Sequence, residues 1–300
     1  MEKTVTGLTR VLKKKKKPGI RDDILKEFPF AIGSIPFVWQ ILFFYLPILL
    51  LISTSLVSIK SSFNCFQTVF TLGFFHILSN SFLLSSITTV ACLFIGFPLA
   101  YCIAFHGGKA KTLLIFLLVI PFWTNFILHI FAWSFVLEKN GFMNALLLNI
   151  GLIKTPIHFL NTHFATYVMS IYYYLPFMIL PIYSALEKFD ITLLEASLDL
   201  GASRFHTMKR VLIPLTLNAI RVGVLLVFIP SFGEFIIPEF MGGDKSVYVG
   251  SAISFLMAGE DTASTAMIFA VAALLFLLPA VFFIDRSLAR FGKKLAGGSL

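Results

Sequence analysis

Two stretches of the chain carry residues whose types and spacing can do chemistry. The first reads Thr192-Leu-Leu-Glu195-Ala-Ser-Leu-Asp-Leu-Gly201, and after nine further residues Val211-Leu-Ile-Pro214. Thr192 and Glu195 have the spacing of a capping box, in which the Thr hydroxyl accepts from the Glu195 N–H and the Glu carboxylate accepts from the Thr192 N–H. Leu194 and Leu198 then share one helix face, and Gly201 stands where a helix end needs a residue free to enter the left-handed region. Ser203 can cap a second helix with an apolar stripe of Phe205, Met208 and Leu212, and Pro214 marks its end or a kink. The prediction is a helix, turn, helix hairpin. The second stretch, Phe228-Ile-Pro-Ser-Phe-Gly-Glu-Phe-Ile-Ile-Pro-Glu239, sets Glu234 inside an apolar run. A carboxylate at membrane depth is costly unless it faces a cavity or a partner. Pro230, Gly233 and Pro238 interrupt the helix, which such depth tolerates only where backbone is buried in protein or lines a water-filled path. With Glu239 and one or more of Trp123, Trp133, Tyr172, Tyr173 and Tyr174, this acid suits a cation through ion pairing and cation–π contact. The alternative is that Glu234 pairs with His129 or another span and that the aromatics form an interfacial belt.

Other chemistries lack their residues. No GxxxxGK[ST] loop is present to surround a nucleotide's phosphates, and Gly242-Gly-Asp-Lys-Ser246 has the wrong spacing. His158 and His163 share a loop with neither carboxylate nor Cys, and His76, His106, His129 and His206 are scattered, so no metal set is expected. Cys92 and Cys102 in one apolar run, and Cys65 in a loop, form no CxxC pair and read as small buried apolar side chains.

The elements that must position these residues follow from composition. Of 300 residues 58% are hydrophobic and 13% charged, against about 25% charged in soluble chains. A mean hydropathy of +0.90 excludes a soluble globule. Six runs reach the length of about 20 residues that a bilayer core requires: Ile35 to Ile59, Phe82 to Phe105, Thr112 to Leu137, Phe164 to Leu186, Val222 to Phe240 and Ala263 to Ile284. The first is longer than the apolar core of a signal peptide and is read as retained. Lys and Arg cluster in the N-terminal segment, in the connections after the second and fourth runs, and in the C-terminal tail. Only Lys60, Lys139, Lys154 and Lys245 fall on the other side. Both termini are therefore expected in the cytoplasm, and the formal charge of +9 reads as attraction to anionic lipid, not to nucleic acid. The one long cytoplasmic connection, Glu187 to Arg221, is the predicted hairpin, and connections of that length are commonly working parts. An outer segment from Gly141 to Gly151, with Phe142, Leu146 and Ile150 near helical spacing, reads as a short surface helix that touches either an external protein or the lipid interface.

The residues from Glu195 through Gly201 to Pro214 resemble the EAA loop of bacterial ABC importer permeases, with Ser197 in place of the third Ala and Val211 and Ile213 as further departures. Pro121-Phe-Trp-Thr-Asn125, Phe131-Ala-Trp133, Tyr174 to Tyr183 and Phe228 to Gly243 resemble the spermidine/putrescine permease subunits of that family, from about Phe37 to Ile284. The match leaves out the Lys-rich N-terminus, and His129 stands where such permeases often have Arg. The resemblance implies an all-α, polytopic, six-helix membrane protein of the MetI-like, type I importer architecture. It divides into a basic cytoplasmic segment 1–34, a transmembrane domain 35–286 with a coupling loop 187–221, and a cytoplasmic tail 287–300.

It also implies a permease subunit in the bacterial inner membrane that carries polyamines, a flexible polycation class suited to the Glu234 path. ATP and Mg would be bound by partner ATPases and no cofactor by this chain. The implied partners are a second permease subunit making a heterodimer, two cytosolic ATPase subunits and an extracytoplasmic polyamine-binding protein. Glu195, Ala196, Ser197, Leu198, Gly201, Ala202, Phe205, Met208 and Pro214 would form the surface that couples to the ATPase, Glu195 through a basic side chain. Glu234, Glu239, Trp123, Trp133 and Tyr173 would line the substrate path. Rival expectations are an importer of the same architecture for iron, sulfate or thiamine, which the EAA loop does not separate, and a secondary transporter, which commonly shows an internal repeat that this sequence lacks.

Overall fold

A computed structural model describes residues 36–61, 73–243, 247–259 and 262–297. The basic segment 1–34 with its Lys13 to Lys17 run, Cys65, Asp244, Lys245, Glu260 and Asp261 lie outside them. All regular structure among the described residues is helical. The chain divides into two compact units, 1–54 and 55–300.

In the first unit the described residues form the body of helix α1 (Pro36–Val57). Phe37, Trp39, Phe43 and Leu49 are all exposed on it, the all-round apolar surface of a helix in hydrocarbon. A π-turn at Ile41–Tyr45 precedes Pro47, which has no N–H to give the regular ladder.

The second unit holds α2 (Phe74–His106), α3 (Lys111–Trp123), α4 (Phe126–Leu137), α5 (Phe142–Asn149) and α6 (His163–Glu187). They are followed by α7 (Thr192–Asp199), α8 (Arg204–Phe232), α9 (Ile236–Met241), α10 (Val249–Ala258) and α11 (Ala263–Gly297). Five helices among the described residues are long and apolar enough to cross a membrane, and six when the bent pair beginning with α3 counts as one span.

The second span begins at Phe74, before the expected Phe82, and the last runs on to Leu295, past the expected Ile284; two others differ from their hydropathy outlines more deeply. The run Thr112 to Leu137 is broken, with a 96° bend between its halves. Thr124 is extended, and Asn125 caps α4 by accepting the Ile127 N–H at 2.9 Å. Two polar residues in an apolar run change its mean hydropathy little, yet they supply the local hydrogen bonds that end one helix and start the next. The fifth span begins at Arg204, before the expected Val222, and stops at Phe232, short of Phe240. Pro214 cannot donate to the Arg210 carbonyl. A π-turn at Met208–Leu212 takes up the mismatch, so the helix continues where the sequence allowed either an end or a kink.

The core lies where α2, α6 and α8 pack on one another. Cys92, Met178, Ile179, Ile182, Val224 and Val227 fill it. Cys92 is buried as a small apolar side chain, but Cys102 is exposed on the last turn of α2, contrary to the same expectation. The helix expected between Gly141 and Gly151 is present as α5, with Phe142, Leu146 and Ile150 exposed around it. Its buried Asn144 donates to the carbonyls of Glu138 and Ile157 and accepts the Ile157 N–H.

Candidate functional site

Phe189, just past α6, packs edge-on against Phe105 at the C-terminal end of α2, with centroids 6.5 Å apart. One end of the bundle thus gathers the ends of α2 and α6 and the start of α8, and the predicted hairpin sits there. Its first helix is capped by Asp190, whose Oδ1 accepts from the Thr192 N–H at 3.0 Å and the Thr192 hydroxyl at 2.8 Å. The predicted capping box between Thr192 and Glu195 does not form. Thr192 is already helical, and the Ile191 carbonyl takes the Glu195 N–H at 3.2 Å. The exposed Glu195 carboxylate is left without a side-chain hydrogen bond or ion pair among the described residues.

Gly201 enters the left-handed region with φ at +83°. The Ala202 N–H then reaches the Ser197 carbonyl at 3.2 Å and the Gly201 N–H reaches Leu198 at 2.9 Å, the paired bonds of a Schellman ending. Ser203 accepts the His206 N–H at 3.3 Å, as its capping position required. Ser197, the departure from the EAA pattern, meets the buried Thr207 hydroxyl at 3.0 Å and so bridges the two helices. The expected stripe divides: Leu212 is buried, whereas Met208 and Phe205 are exposed. Leu194 packs on the core and Ala202 is half-buried, while Ala196 and Leu198 face outward. Leu200, not singled out from sequence, is 89% exposed and Phe205 72%. Farther along α8, Arg221 holds Asp285 of α11 through Nε at 2.9 Å and Nη2 at 2.7 Å to both oxygens. This bidentate pair ties the helix that carries the hairpin to the last span.

The outer acids occupy two different settings. Glu234 follows the end of α8, and its Oε1 accepts the N–H groups of Ile236 and Ile237 at 3.1 and 3.4 Å, capping α9. Its Oε2 accepts the Tyr174 hydroxyl at 2.6 Å. The pairing with His129 that sequence left open is not made. Tyr173 stacks edge-on to Tyr174 at 5.2 Å and lies 4.4 Å from Phe126, so it joins the Glu234 group at one remove. Glu239 is exposed on α9 and forms no side-chain hydrogen bond or ion pair among the described residues.

Trp133 belongs to a second group at the break in the third span. Its ring lies 5.4 Å from Tyr172, whose hydroxyl meets His129 Nδ1 at 3.0 Å. His129 Nε2 contacts the Thr124 hydroxyl and, at 3.0 Å, the Pro121 carbonyl. A carbonyl only accepts, so Nε2 carries a proton and donates to it, while Nδ1 and the Tyr172 hydroxyl share a second hydrogen bond. The imidazole thereby holds the bend, and a cavity of about 240 Å³ opens beside it among Phe122, Phe126, Tyr172 and Tyr173. Trp123 joins neither group: it is 74% exposed and touches Phe116 edge-on at 5.7 Å. Among the described residues no cluster of His, Cys, Asp and Glu could hold a metal.

The fold, the broken third span and the exposed hairpin define a membrane-embedded transport component, and the chain belongs to the family of binding-protein-dependent transport system inner membrane components, which matches residues 10–297. It is the multi-pass permease of an ABC importer complex that includes an ATPase and an external binding protein. ATP hydrolysis is supplied by the ATPase, since this family is the transmembrane component and not a catalytic subunit. The chain is similar to the spermidine/putrescine transport system permease protein PotB of Escherichia coli (strain K12), at 40% identity covering 72% of this chain and 81% of the relative. PotB of Haemophilus influenzae is 37% identical, covering 87% of this chain and 94% of the relative. The fold is also that of a chain from a bacterial alginate ABC transporter solved with an alginate pentasaccharide-bound periplasmic protein, with TM-score 0.70, 18% identity, and 91% and 96% of the two chains covered.

Proposed function

We propose that this permease carries polyamines, spermidine or putrescine, inward across the membrane. The likeness to relatives named for those two solutes carries the substrate class. The anionic groups at the end of the bundle opposite the hairpin support it, because Glu234 and Glu239 give a polycation two carboxylates to exchange for water. In this reading the path runs past Glu239 and Glu234 and the aromatic faces of Tyr173 and Trp133, with Trp123 at its margin. The hairpin end and both termini face the cytoplasm, and a second, distinct permease completes the pair.

The hairpin docks on one of two ATPase subunits through Glu195, Ala196, Leu198, Phe205 and Met208. Ser197, Gly201, Ala202 and Pro214 fix its shape. Closure of the ATPases draws the paired hairpins together and opens the path outward, and hydrolysis resets it. Because each ligand shifts the equilibrium only by its differential affinity, the outward state must bind the cation more tightly than the inward one.

The test is uptake of labelled spermidine and putrescine into vesicles holding the whole complex, with the loaded binding protein outside and ATP on the ATPase side. Accumulation that needs ATP is expected. Uptake unaffected by ATP removal would contradict coupling, and ATP-driven import of another solute without either polyamine would overturn the substrate class.

A further inference from the structure

A second cavity, larger than the one beside His129, lies near the outer acids. It measures about 720 Å³ and lies between the start of α2, helix α9, helix α10 and α11. Its size falls in the range of about 300–1,000 Å³ that small-molecule sites occupy. Ile77, Phe255 and Phe269 supply apolar wall, and Glu239, His76 and Ser251 supply the polar groups. Two of those three are already engaged: Ser251 Oγ accepts the Tyr248 N–H at 3.0 Å, and His76 Nδ1 meets Asn80 at 3.3 Å. Among the described residues Glu239 forms no side-chain hydrogen bond or ion pair, and no Lys or Arg lines the cavity. An unpaired carboxylate over an apolar wall is complementary to an ammonium group borne on methylenes, which gains the ion pair and the apolar contact together.

We propose that this cavity is a receiving site for one ammonium end of an extended alkylamine, with Glu239 as the residue that recognises the charge. The proposal rests on the polyamine reading above and adds an order of use. Glu239 is free to accept a cation at once, whereas Glu234 already holds three hydrogen bonds and is reached only when the Tyr174 hydroxyl gives way.

The experiment compares the wild-type complex with E239Q, E239K and E239D variants in proteoliposomes, measuring ATP-driven import of labelled spermidine at limiting loaded binding protein, basal ATPase rate and subunit co-purification. Loss of one charge-assisted contact is expected to slow import about tenfold in E239Q. E239K should be slower still and E239D intermediate, with basal ATPase and assembly unchanged. Wild-type import with E239Q equal to it would overturn the receiving site and leave the polyamine reading standing. Absence of both spermidine and putrescine import by the wild type would overturn that reading itself. Loss of assembly in all three variants would also overturn the proposal, because the carboxylate would then be a structural part.

Discussion

The hairpin between α6 and α8 and the segment between α8 and α11 are built alike, from short helices joined by tight turns, but they are fastened by opposite means. Every side-chain bond that shapes the hairpin is local: Asp190 to Thr192, Ser203 to His206, Ser197 to Thr207. Its most exposed apolar side chains, Leu200 and Phe205, point away from the protein. The outer segment is bonded across long sequence distances, from Tyr174 to Glu234, His163 to Tyr248, Asn80 to Val247 and Ser81 to Val249. Its Ile237, Met241 and Tyr248 are buried. A unit held by its own bonds keeps its shape when pushed and can be gripped by another chain. A segment bonded to several spans yields only when the spans move. On the function proposed above, the difference puts the input of force at one end of the molecule and its consequence at the other.

The severest way to break the comparison is at Gly250. A Cβ there would stand 2.4 Å from the Gly233 carbonyl oxygen and 2.7 Å from that of Glu234, backbone atoms that cannot step aside cheaply. Gly250→Ala is expected to cost about 3 kcal/mol, at the upper end of overpacking penalties. A lowered thermal midpoint of the detergent-solubilised complex would show it, with binding to the ATPase retained by whatever remains folded. An unchanged midpoint would mean that the outer segment is as loosely held as the hairpin.

Glu234→Gln comes next. The carboxylate accepts on both oxygens, whereas an amide offers one acceptor, so the charge-assisted bond from the Tyr174 hydroxyl is exchanged for a weaker neutral one in which the amide N–H donates to that hydroxyl, or the α9 N–H groups lose their acceptor. A loss of about 2 kcal/mol follows, with Tyr174→Phe costing about half of that. The double variant should cost less than the sum, because the two changes share one bond. Strict additivity in the thermal midpoints would sink the pairing.

At the hairpin, Gly201→Ala meets open space but places a side chain at φ +83°. The expected strain is about 1–2 kcal/mol. It should be read out less in global stability than in coupling, as ATPase activity that no longer rises with loaded binding protein. Coupling at the wild-type level would show that the turn tolerates reshaping.

What the amino-acid sequence discloses follows the same division. The spans are legible because length and hydropathy are set by the solvent. The hairpin is legible because its turn residues, Gly201 and Ser203, act on backbone within a few positions of themselves. Even there Asp190 displaced the expected Thr192 cap, since two capping side chains lay two residues apart and only the helix start decides between them. The break at Thr124 and Asn125 had a local signal that the apolar average concealed. Helices α9 and α10 had almost none, because Glu234, Tyr248 and Val249 are held by residues 60 to 168 positions away. Glu239 and Trp123, grouped with Glu234 by composition, are separated from it by packing that no spacing encodes.

The smallest expected effect sharpens the comparison most. If local bonds shape the hairpin, Ser197 and Thr207 are its brace, and removing one hydroxyl should be felt only slightly. Ser197→Ala leaves Thr207 able to turn its hydroxyl to the carbonyl four residues back, so the cost is about 1 kcal/mol. Thr207→Val keeps the buried shape and leaves the half-exposed Ser197 solvated, at a similar cost. A double-mutant cycle on thermal stability should return a coupling of about 0.5–1.5 kcal/mol, because both single variants delete the same bond. A coupling near zero would mean that the brace contributes nothing on its own. The hairpin's shape would then be imposed by the chain it docks against, and the contrast between a self-contained input and a bundle-anchored outer segment would fail at its nearer end.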